Sequence, residues 1–395
     1  MIVLVANLGS TSFKYKLFDM PAETVLATGE ADRIGQGQSA WALTVGDQTQ
    51  QGTCELDDHA QAVDLHLAKL VACGALSDGE AVEAIGFKAV HGGPISGAVV
   101  VDDAVLATME SLYPLAPAHN PPYVQAMRSF KDKLPHVAQV AAFETAFHAD
   151  IPLARQVYGV PHAWIQQHGV RRYGFHGASN ASIAARMAQV APTCSRIINL
   201  HLGGSSSVCA IKDGKSVAHS MGATPQTGTF HANRVGDFDP YAVVALKDAG
   251  MTESQIFEGL SKQGGLLGLS GVSADFRDVQ QAATAGNAQA QLALDAFVES
   301  CRHYVGAFMV ALGGVDAITF TAGIGQHNPA IRQAICKDLA FAGVELDDAK
   351  NTNATGKDAS RIDTGHTQAQ VWIVPTNEEL IVARQTQHVL THQGA

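Results

Sequence analysis

The first residues of the chain predict a strand, a tight turn and a second strand. Residues 1–6 (MIVLVA) form a continuous apolar run, which is typical of a buried strand. A stretch rich in Gly, Ser and Thr follows, and residues 13–19 (FKYKLFD) then alternate between apolar and polar side chains as a half-buried strand does. We therefore expect a hairpin whose turn runs from Asn7 to Ser12.

The same pattern recurs about half a chain later. Residues 197–213 contain IINL, HLGGSSS and VCAIKD in turn. An offset of 194 residues (202 − 8) places Leu8-Gly9 on Leu202-Gly203 and aligns Ser12 with Ser206. We interpret this as an ancient duplication that produced two similar α/β lobes. Each lobe would present a turn whose successive backbone N–H groups suit a phosphate.

Further segments show helical or strand periodicity. Apolar residues recur at three- and four-residue spacing in four segments, which predicts helices at 57–74, 178–190, 287–313 and 378–391. The apolar runs 317–325 and 371–375 are typical of buried strands. The alternation of the two kinds of segment predicts mixed α/β lobes.

Composition sets a size class and excludes several partners. The chain has 395 residues, of which 46% are hydrophobic, so it is long enough for two or three domains. The formal net charge of −11 argues against a general binder of nucleic acid or anionic membranes, because such proteins need a basic face. The six cysteines lack metal-ligand spacing, and the N-terminus lacks the features of a signal peptide. The apolar stretch 304–314 is too short to span a bilayer, so we expect a cytoplasmic protein with reduced thiols.

Common nucleotide and hydrolase signatures are absent from the sequence. Gly214-Lys215-Ser216 resembles the end of a P-loop, but Cys209 stands where the first glycine should be. Gly323-Ile324-Gly325 has Asn328 at the third glycine position of a dinucleotide fingerprint. The HExxH, GxSxG and protein-kinase HRD and DFG motifs do not occur. A phosphate site in this chain must therefore be of another kind.

Ten sequence blocks resemble the acetate and butyrate kinase family and stand in the family's order over nearly the whole chain. The blocks are NLGSTSFKY (7–15), VHGG (90–93), HNPP (119–122), FETAFH (143–148), YGFHG (173–177), HLGGSSSV (201–208), NRVGDFDP (233–240), GLLGLSGVSADFR (265–277), FTAGIG (320–325) and PTNEEL (375–380). The family belongs to a superfamily that includes sugar kinases, actin and heat-shock ATPases. Their duplicated lobes agree with the repeat described above.

The resemblance implies an α/β fold of two duplicated ribonuclease-H-like (actin-like ATPase) lobes with a nucleotide cleft between them. Residues 1–150 plus 378–395 would form an N-terminal lobe for the acyl and phosphate side. Residues 151–377 would form a C-terminal lobe for nucleotide binding and homodimerisation. The implied reaction is a reversible in-line transfer of the γ-phosphoryl group from ATP to acetate or a related short carboxylate. A carboxylate nucleophile is ionised at neutral pH, so alignment and positive charge matter more than a general base.

The resemblance also implies the catalytic residues. Arg234 matches an arginine that contacts the phosphoryl group and the carboxylate, and His176 matches a histidine that stabilises the transition state. Lys88 stands where the family usually has a second arginine. Since lysine lacks the planar fork that grips a carboxylate with two hydrogen bonds, we expect a weaker or altered grip. Glu144 replaces the usual aspartate, and its extra methylene shifts the carboxylate.

Metal and nucleotide contacts are implied in the same way. Asn7 and Glu378 match residues associated with Mg²⁺ (or Mn²⁺), an ion that takes only one or two carboxylates beside the oxygens of ATP. The implied phosphate contacts are Ser10, Ser12, Lys14, His201, Gly203, Gly204 and Ser205. The implied adenosine contacts are Asp275, Phe276, Arg277, Gly323, Ile324, Gly325, Gln326 and His327. Gln326-His327 replaces the common Glu-Asn pair, which leaves GTP or pyrophosphate open as donors.

The implied acyl pocket differs from the family at one position. Val90, Phe175, Pro225 and the residue before HNPP would surround the alkyl group of the substrate. That residue is Ala118, where leucine is usual. The change removes about three carbons, and each methylene accommodated there is worth roughly 0.8 kcal/mol. We therefore hypothesise that propionate, butyrate or another small carboxylate rivals acetate.

Two further readings stay open. A kinase of an alcohol or sugar acceptor is the first, because Glu144 could supply the base that a hydroxyl group needs. A nucleotide-binding homologue without turnover is the second, motivated by the departures at Lys88, Glu144 and Gln326. Hydroxamate trapping of an acyl phosphate would separate the first from a carboxylate kinase. ATP binding without release of ADP would mark the second.

Overall fold

The computed structural model describes residues 1–9, 11–76, 82–117 and 119–392 and divides the chain into two compact units. The first unit comprises Met1–Ala146 and Asn377–Ala395, and the second comprises Phe147–Thr376. Each unit is built on one sheet of its own.

The strands of the first unit are β1 (Ile2–Leu8), β2 (Ser12–Asp19), β3 (Thr24–Asp32), β4 (Gln38–Val45), β5 (Gln48–Glu55), β6 (Ala84–Ala89), β7 (Ala98–Val100) and β8 (Ala138–Phe143). The strands of the second unit are β9 (Arg196–Leu202), β10 (Ser206–Lys212), β11 (Lys215–His219), β12 (Ala317–Thr321), β13 (Ser360–Arg361) and β14 (Gln370–Ile373).

The helices of the first unit are α1 (His59–Ala72), α2 (Asp103–Ser111), α3 (Asn120–Lys133) and α15 (Glu378–His392). Those of the second unit are α4 (Leu153–Gln156), α5 (His162–His168), α6 (Gly177–Val190), α7 (Ala242–Asp248), α8 (Glu253–Lys262), α9 (Gly265–Ser270), α10 (Phe276–Thr284), α11 (Ala288–Leu312), α12 (Ala322–His327), α13 (Pro329–Cys336) and α14 (Asp348–Asn353). The predicted helices at 57–74, 178–190, 287–313 and 378–391 are confirmed as α1, α6, α11 and α15. No described helix has the length and apolar character that a membrane span requires.

Both sheets contain the same five-strand arrangement. In the first unit the order is β3-β2-β1-β6-β8, with antiparallel pairs up to β1 and parallel pairs from β1 to β8. In the second unit β11-β10-β9-β12-β14 repeats this order and these strand directions. The duplication inferred from the sequence is therefore visible in the strand topology.

The two aligned hairpins differ in register by one residue. Leu8 of β1 pairs with Phe13, whereas Leu202 of β9 pairs with Ser206, the counterpart of Ser12. The turn after β9 is thus one residue shorter than the turn after β1. The apolar pattern locates both hairpins, but the turn geometry decides the register.

The predicted strand at 317–325 is wrong beyond Thr321. Ala322 adopts a left-handed backbone conformation (φ 62°), and residues 322–327 form the short helix α12. The guanidinium of Arg332 donates to the carbonyl oxygens of Gly325 and Gln326, both at 2.9 Å, and so caps the C-terminal end of this helix. A short apolar run does not distinguish a strand from a buried helix by periodicity, which explains the error.

Each unit has its own hydrophobic core. In the first unit, α15 packs against β1, β6, β7 and β8, and a Cβ atom at Gly86 would lie only 2.4 Å from Thr386 Oγ1. In the second unit, the long helix α11 packs against β9, β10 and β11.

Candidate active site

A polar cluster of the first unit lies where three neighbouring strands end. Asn7 lies near the end of β1, Lys88 lies in β6, and Glu144 follows β8 directly. Glu378 is the first residue of α15. The carboxyl ends of parallel strands meet at one edge of a sheet, which places these residues together. Lys88 Nζ donates to Glu378 Oε2 at 2.6 Å, which joins residues 290 positions apart in the sequence.

The charge of Lys88 is balanced by carboxylates. Burial lowers the pKa of Lys88, but the negative charges of Glu378 and Glu144 outweigh this effect and raise the pKa above its ordinary value. Lys88 is therefore a cation at any physiological pH. Part of its charge is already directed at Glu378, which the sequence resemblance did not anticipate.

Tyr123 is a member of this cluster that the sequence analysis missed. Its hydroxyl group accepts a hydrogen bond from the backbone N–H of Leu8 at 3.1 Å and donates to Asn7 Oδ1 at 3.3 Å. Burial raises the pKa of Tyr123 to about 12, so the hydroxyl remains a donor. The residue follows directly after the HNPP block, which was the available signal.

The turn after β1 is held by a buried histidine. The backbone N–H of Gly9 donates to the carbonyl oxygen of Ser12 at 2.9 Å, and His59 Nε2 lies 3.0 Å from the carbonyl oxygen of Gly9. Lys14 pairs with Asn7 across the hairpin, and its Nζ forms an exposed ion pair with Glu30 at 3.0 Å. Two predicted site residues, Ser10 and Ala118, lie outside the residues that the structure describes.

In the second unit, His176 occupies the turn before α6. Its backbone is left-handed (φ 55°), and its Nδ1 lies 2.8 Å from Ser207 Oγ on β10. Its ring stacks on that of His201, with centroids 4.0 Å apart. His201 Nδ1 in turn lies 2.8 Å from Ser179 Oγ. The two predicted histidines thus form one ordered pair.

His176 is neutral in the free protein. Burial, together with the charges of His201 and Arg234, holds the pKa of His176 well below its usual range. Burial likewise lowers the pKa of His148 to about 4 and that of His231 to about 3. His176 is therefore a neutral hydrogen-bonding group and does not supply a fixed positive charge.

Arg234 is a half-buried cation of the second unit. It donates from Nη1 to the carbonyl oxygen of Pro225 at 2.7 Å. Burial lowers the pKa of Arg234, and no carboxylate within the described ranges forms an ion pair with it. Two of the predicted acyl-pocket residues, Phe175 and Pro225, lie in this unit. The carbonyl oxygen of Pro225 accepts the hydrogen bond from Arg234, and the Phe175 side chain is buried. Val90 belongs to the first unit, where its partly buried side chain packs against the core.

Eight of the fifteen predicted nucleotide and phosphate contacts line one cavity of the second unit, with a volume of about 620 Å³. The predicted residues that line it are Gly203, Gly204, Asp275, Phe276, Arg277, Gly323, Ile324 and His327. Gln280 and Asn328 also line it and were missed. A cavity of this size suits a drug-sized ligand such as a nucleoside.

Some predicted nucleotide residues have other partners. Asp275 caps α10 and forms an ion pair with Arg277 at 2.6 Å, which lowers the pKa of the Asp275 carboxyl to about 2. Gln326 Nε2 donates to the carbonyl oxygen of Gly356 at 3.4 Å. Gly325, which the sequence analysis placed at the end of a strand, is a buried residue of α12. These three residues therefore stabilise the structure of the site, whether or not they also contact a ligand.

The oxygen donors of the first unit fit a magnesium ion that arrives with a nucleotide. Asn7 and Glu378 offer an amide oxygen and a carboxylate, which are hard ligands of the kind that Mg²⁺ takes beside phosphate oxygens. Within the described part of the chain, no group of three or more His, Cys, Asp or Glu side chains is placed to hold a metal. The chemistry of these donors is therefore not that of a closed resident metal site.

Comparison with known proteins gives one consistent result. The sequence model of the Acetokinase family matches residues 2–384. The chain is 42% identical to an acetate kinase of Heliobacterium modesticaldum over 99% of this chain and 100% of that protein. It is 40% identical to a propionate kinase of Citrobacter rodentium over 98% of this chain and 96% of that protein.

A solved structure agrees at the level of the fold. The crystal structure of an acetate kinase from Porphyromonas gingivalis superposes with a TM-score of 0.90 at 36% identity, covering 98% of this chain and 99% of that chain. The predicted fold class, two duplicated ribonuclease-H-like lobes of the actin-like ATPase kind, is confirmed by this match and by the repeated strand order.

Proposed function

The chain belongs to the acetokinase family and is a carboxylate kinase with ATP as co-substrate, and from this premise we propose its acceptor and the roles of its residues. The acceptor is acetate or a closely related short carboxylate. The reaction is the reversible, direct transfer of the γ-phosphoryl group to one carboxylate oxygen, which yields ADP and an acyl phosphate.

Arg234 carries this proposal. A half-buried guanidinium without a carboxylate partner in the described structure is a desolvated cation, and it favours an incoming anion. Phosphoryl transfer spreads negative charge over three equatorial oxygens, and donors aimed at that charge supply most of the catalysis. His176 adds a neutral hydrogen-bonding group beside this cation. A carboxylate nucleophile has no proton to lose, so a neutral histidine need not act as a base.

The nucleotide occupies the cavity of the second unit in this proposal. Phe276 and the backbone of Gly323 and Ile324 would contact the adenosine. The short turn Gly203-Gly204 would present backbone N–H groups to the phosphates. His327 and Gln280 also line this cavity, and in this proposal their side chains contact the base and decide between ATP and GTP.

The polar cluster of the first unit serves the metal and the acceptor in this proposal. Asn7 and Glu378 would hold Mg²⁺, which neutralises charge on the β- and γ-phosphates when it is bound. Lys88 would contact an anionic oxygen as a point charge. Its ion pair with Glu378 ties the two roles together, because a ligand that takes Glu378 also changes the charge that Lys88 offers.

The size of the acyl group is a separate question. Alanine at position 118 has a smaller side chain than the usual leucine, and a propionate kinase is among the relatives at 40% identity. Both observations support the proposal that propionate or butyrate is also accepted. A kcat/KM for acetate at least tenfold above that for every C3–C5 acid would refute this extension.

Assembly and location complete the proposal. Large exposed apolar side chains of the second unit on or beside α7 and α8, among them Tyr241, Val244 and Phe257, support a homodimer formed through that unit. All six cysteines are free thiols, and the co-substrate is ATP; both support a cytoplasmic location.

The decisive experiment combines an acceptor panel with a matched pair of variants. Acetate to valerate would be assayed with ATP, GTP and pyrophosphate, and the acyl phosphate would be trapped as hydroxamate. We expect ATP-dependent hydroxamate with acetate or propionate. Arg234→Gln should lower kcat by roughly 10²–10³-fold, whereas Arg128→Gln, which removes an exposed ion pair with Glu110, should leave it unchanged. Hydroxamate formation that survives Arg234→Gln would refute the assignment of Arg234, and ADP release without hydroxamate would refute the reaction.

A further inference from the structure

His231 links two parts of the second unit that the reaction uses. Its ring nitrogen Nδ1 accepts a hydrogen bond from the backbone N–H of Ser206 at 3.0 Å. Ser206 is the first residue of β10, and its Oγ donates to the carbonyl oxygen of Gly203 at 3.0 Å. His231 is therefore bonded to the turn that borders the nucleotide cavity.

The hydrogen bond to Ser206 fixes the tautomer of His231. A backbone N–H is always the donor, so Nδ1 carries no proton, and the proton of the neutral ring lies on Nε2. The side chain is fully buried, and burial lowers its pKa. The acceptor at Nδ1 is thus present throughout the pH range in which a kinase works.

The backbone of His231 begins the segment that ends at Arg234. The N–H of His231 donates to the carbonyl oxygen of Arg234 at 3.3 Å, and the N–H of Ala232 donates to that of Gly204 at 3.0 Å. On the other side, the N–H of Leu266 donates to the carbonyl oxygen of His231 at 2.9 Å. The segment 231–234 therefore lies between the turn at Gly203–Ser206 and the start of α9.

We propose that His231 is a positioning residue that holds Arg234 in register with the phosphate-binding turn Gly203–Ser206. This inference rests on the proposed role of Arg234 in phosphoryl transfer. A small displacement of a group that stabilises the charge of the transition state lowers the rate strongly. A misplacement of about 1 Å can reduce the rate about 10²-fold. One buried hydrogen bond between a side chain and the turn therefore acts on the reaction without contact to the substrate.

His219 supplies a matched control in the same unit. It is also buried, and its Nδ1 also accepts a backbone N–H, that of Met221 at 3.1 Å. That contact spans only two residues and does not reach the Arg234 segment. Replacement of His219 by leucine removes the same kind of hydrogen bond without loosening the link between the phosphate turn and Arg234.

The test compares two polar replacements of His231 that differ in the position of one acceptor. In His231→Asn the amide oxygen occupies about the position of Nδ1 and keeps the bond to Ser206. In His231→Gln the amide lies one bond further out, near the position of Nε2, and the bond is lost. We expect kcat to fall roughly 10- to 100-fold in His231→Gln, most of it to be recovered in His231→Asn, and KM for ATP to change little. His219→Leu should lower kcat much less than His231→Gln does.

A double-mutant cycle separates positioning from general damage. If His231 acts through Arg234, His231→Gln should cause almost no further loss of kcat in an Arg234→Gln background. Circular dichroism and thermal unfolding verify that each variant is folded. Equal kcat values for the Asn and Gln variants, or the same fold-loss with and without Arg234, would overturn the inference. Activity of the wild-type chain in the hydroxamate assay decides the proposed function independently of these results.

Discussion

Replacement of Lys88 by methionine tests how the charges of the first unit are balanced. Methionine keeps most of the length and the apolar stem of lysine but removes the ammonium group. In the native protein this group lies 2.6 Å from Glu378 Oε2, and the side chains of Lys88 and Glu378 are only 19% and 15% exposed. The variant therefore removes the positive charge that offsets the carboxylates of Glu378 and Glu144.

The expected loss in the free energy of unfolding follows from the burial of the Lys88–Glu378 ion pair. Removal of one partner of a buried ion pair typically costs about 3–5 kcal/mol, because the remaining charge is desolvated and uncompensated. Since both side chains keep some contact with water, we expect Lys88→Met to lower the free energy of unfolding by about 3 kcal/mol, near the lower end of this range. The control is Lys131→Met, which removes an ion pair with Asp103 of similar length, 2.9 Å, whose side chains are 54% and 88% exposed. Exposed pairs of this kind contribute about 0–1 kcal/mol.

Urea unfolding measures both losses in the same unit. Trp41 reports on the first unit if Trp164 and Trp372 are replaced by phenylalanine. Lys88→Arg, which keeps the charge, should retain most of the stability and change KM for the carboxylate. Equal losses for Lys88→Met and Lys131→Met would refute the reasoning from burial.

Two further predictions concern backbone geometry and pH. Gly265→Ala should lower both stability and kcat, because Gly265 has φ 61° and its new Cβ would lie 2.1 Å from the carbonyl oxygen of His231 and 2.7 Å from that of Arg234; a normal kcat and melting temperature would contradict this. Acidification should destabilise the protein, because burial lowers the folded-state pKa of His66 and of His148 to about 4, so only the unfolded chain gains these protons as the pH falls below about 6.5. The stability present above about pH 6.5 is thus lost toward about pH 4, by about 2 kcal/mol per histidine at pH 5. Equal free energies of unfolding at about pH 7.5 and about pH 5 would exclude the effect.

Local patterns predicted the elements that positioned the site. Apolar runs and alternation located the strands around both turns, and helical spacing located α1, α6, α11 and α15, because these periodicities depend on residues close in sequence. The helix at 322–327 was missed since a six-residue segment with two glycines carries no such period. The apolar pattern could not predict the one-residue difference between the two hairpin registers, because both registers keep an apolar strand on each side of the turn.

The site was predictable where it follows sequence blocks and unpredictable where it depends on tertiary partners. Eight of the predicted nucleotide residues line a single cavity. In contrast, nothing local indicates that Tyr123 bonds to Asn7, or that His231 bonds to Ser206. Such partners are separated by 25 residues or more, and only the folded sheet order brings them together. The contact of Tyr123 fixes Asn7, and the contact of His231 fixes the turn before Ser206; the sequence did identify Asn7 and this turn.

The two polar clusters differ in charge in a way that separates their roles. In the first unit, one cation, Lys88, is accompanied by the carboxylates of Glu378 and Glu144, so the cluster is suited to a divalent cation as much as to an anion. In the second unit, Arg234 has a carbonyl oxygen as its partner and neutral histidines around it, and we propose that its charge serves an incoming anion. The chain as a whole carries −11 charges and repels anions at long range. Selection of the phosphoryl group and the carboxylate must therefore depend on short-range contacts in a desolvated environment, where salt screens weakly. The positions of Arg234 and of the turn that His231 holds beside it then matter more to the rate than the net charge does.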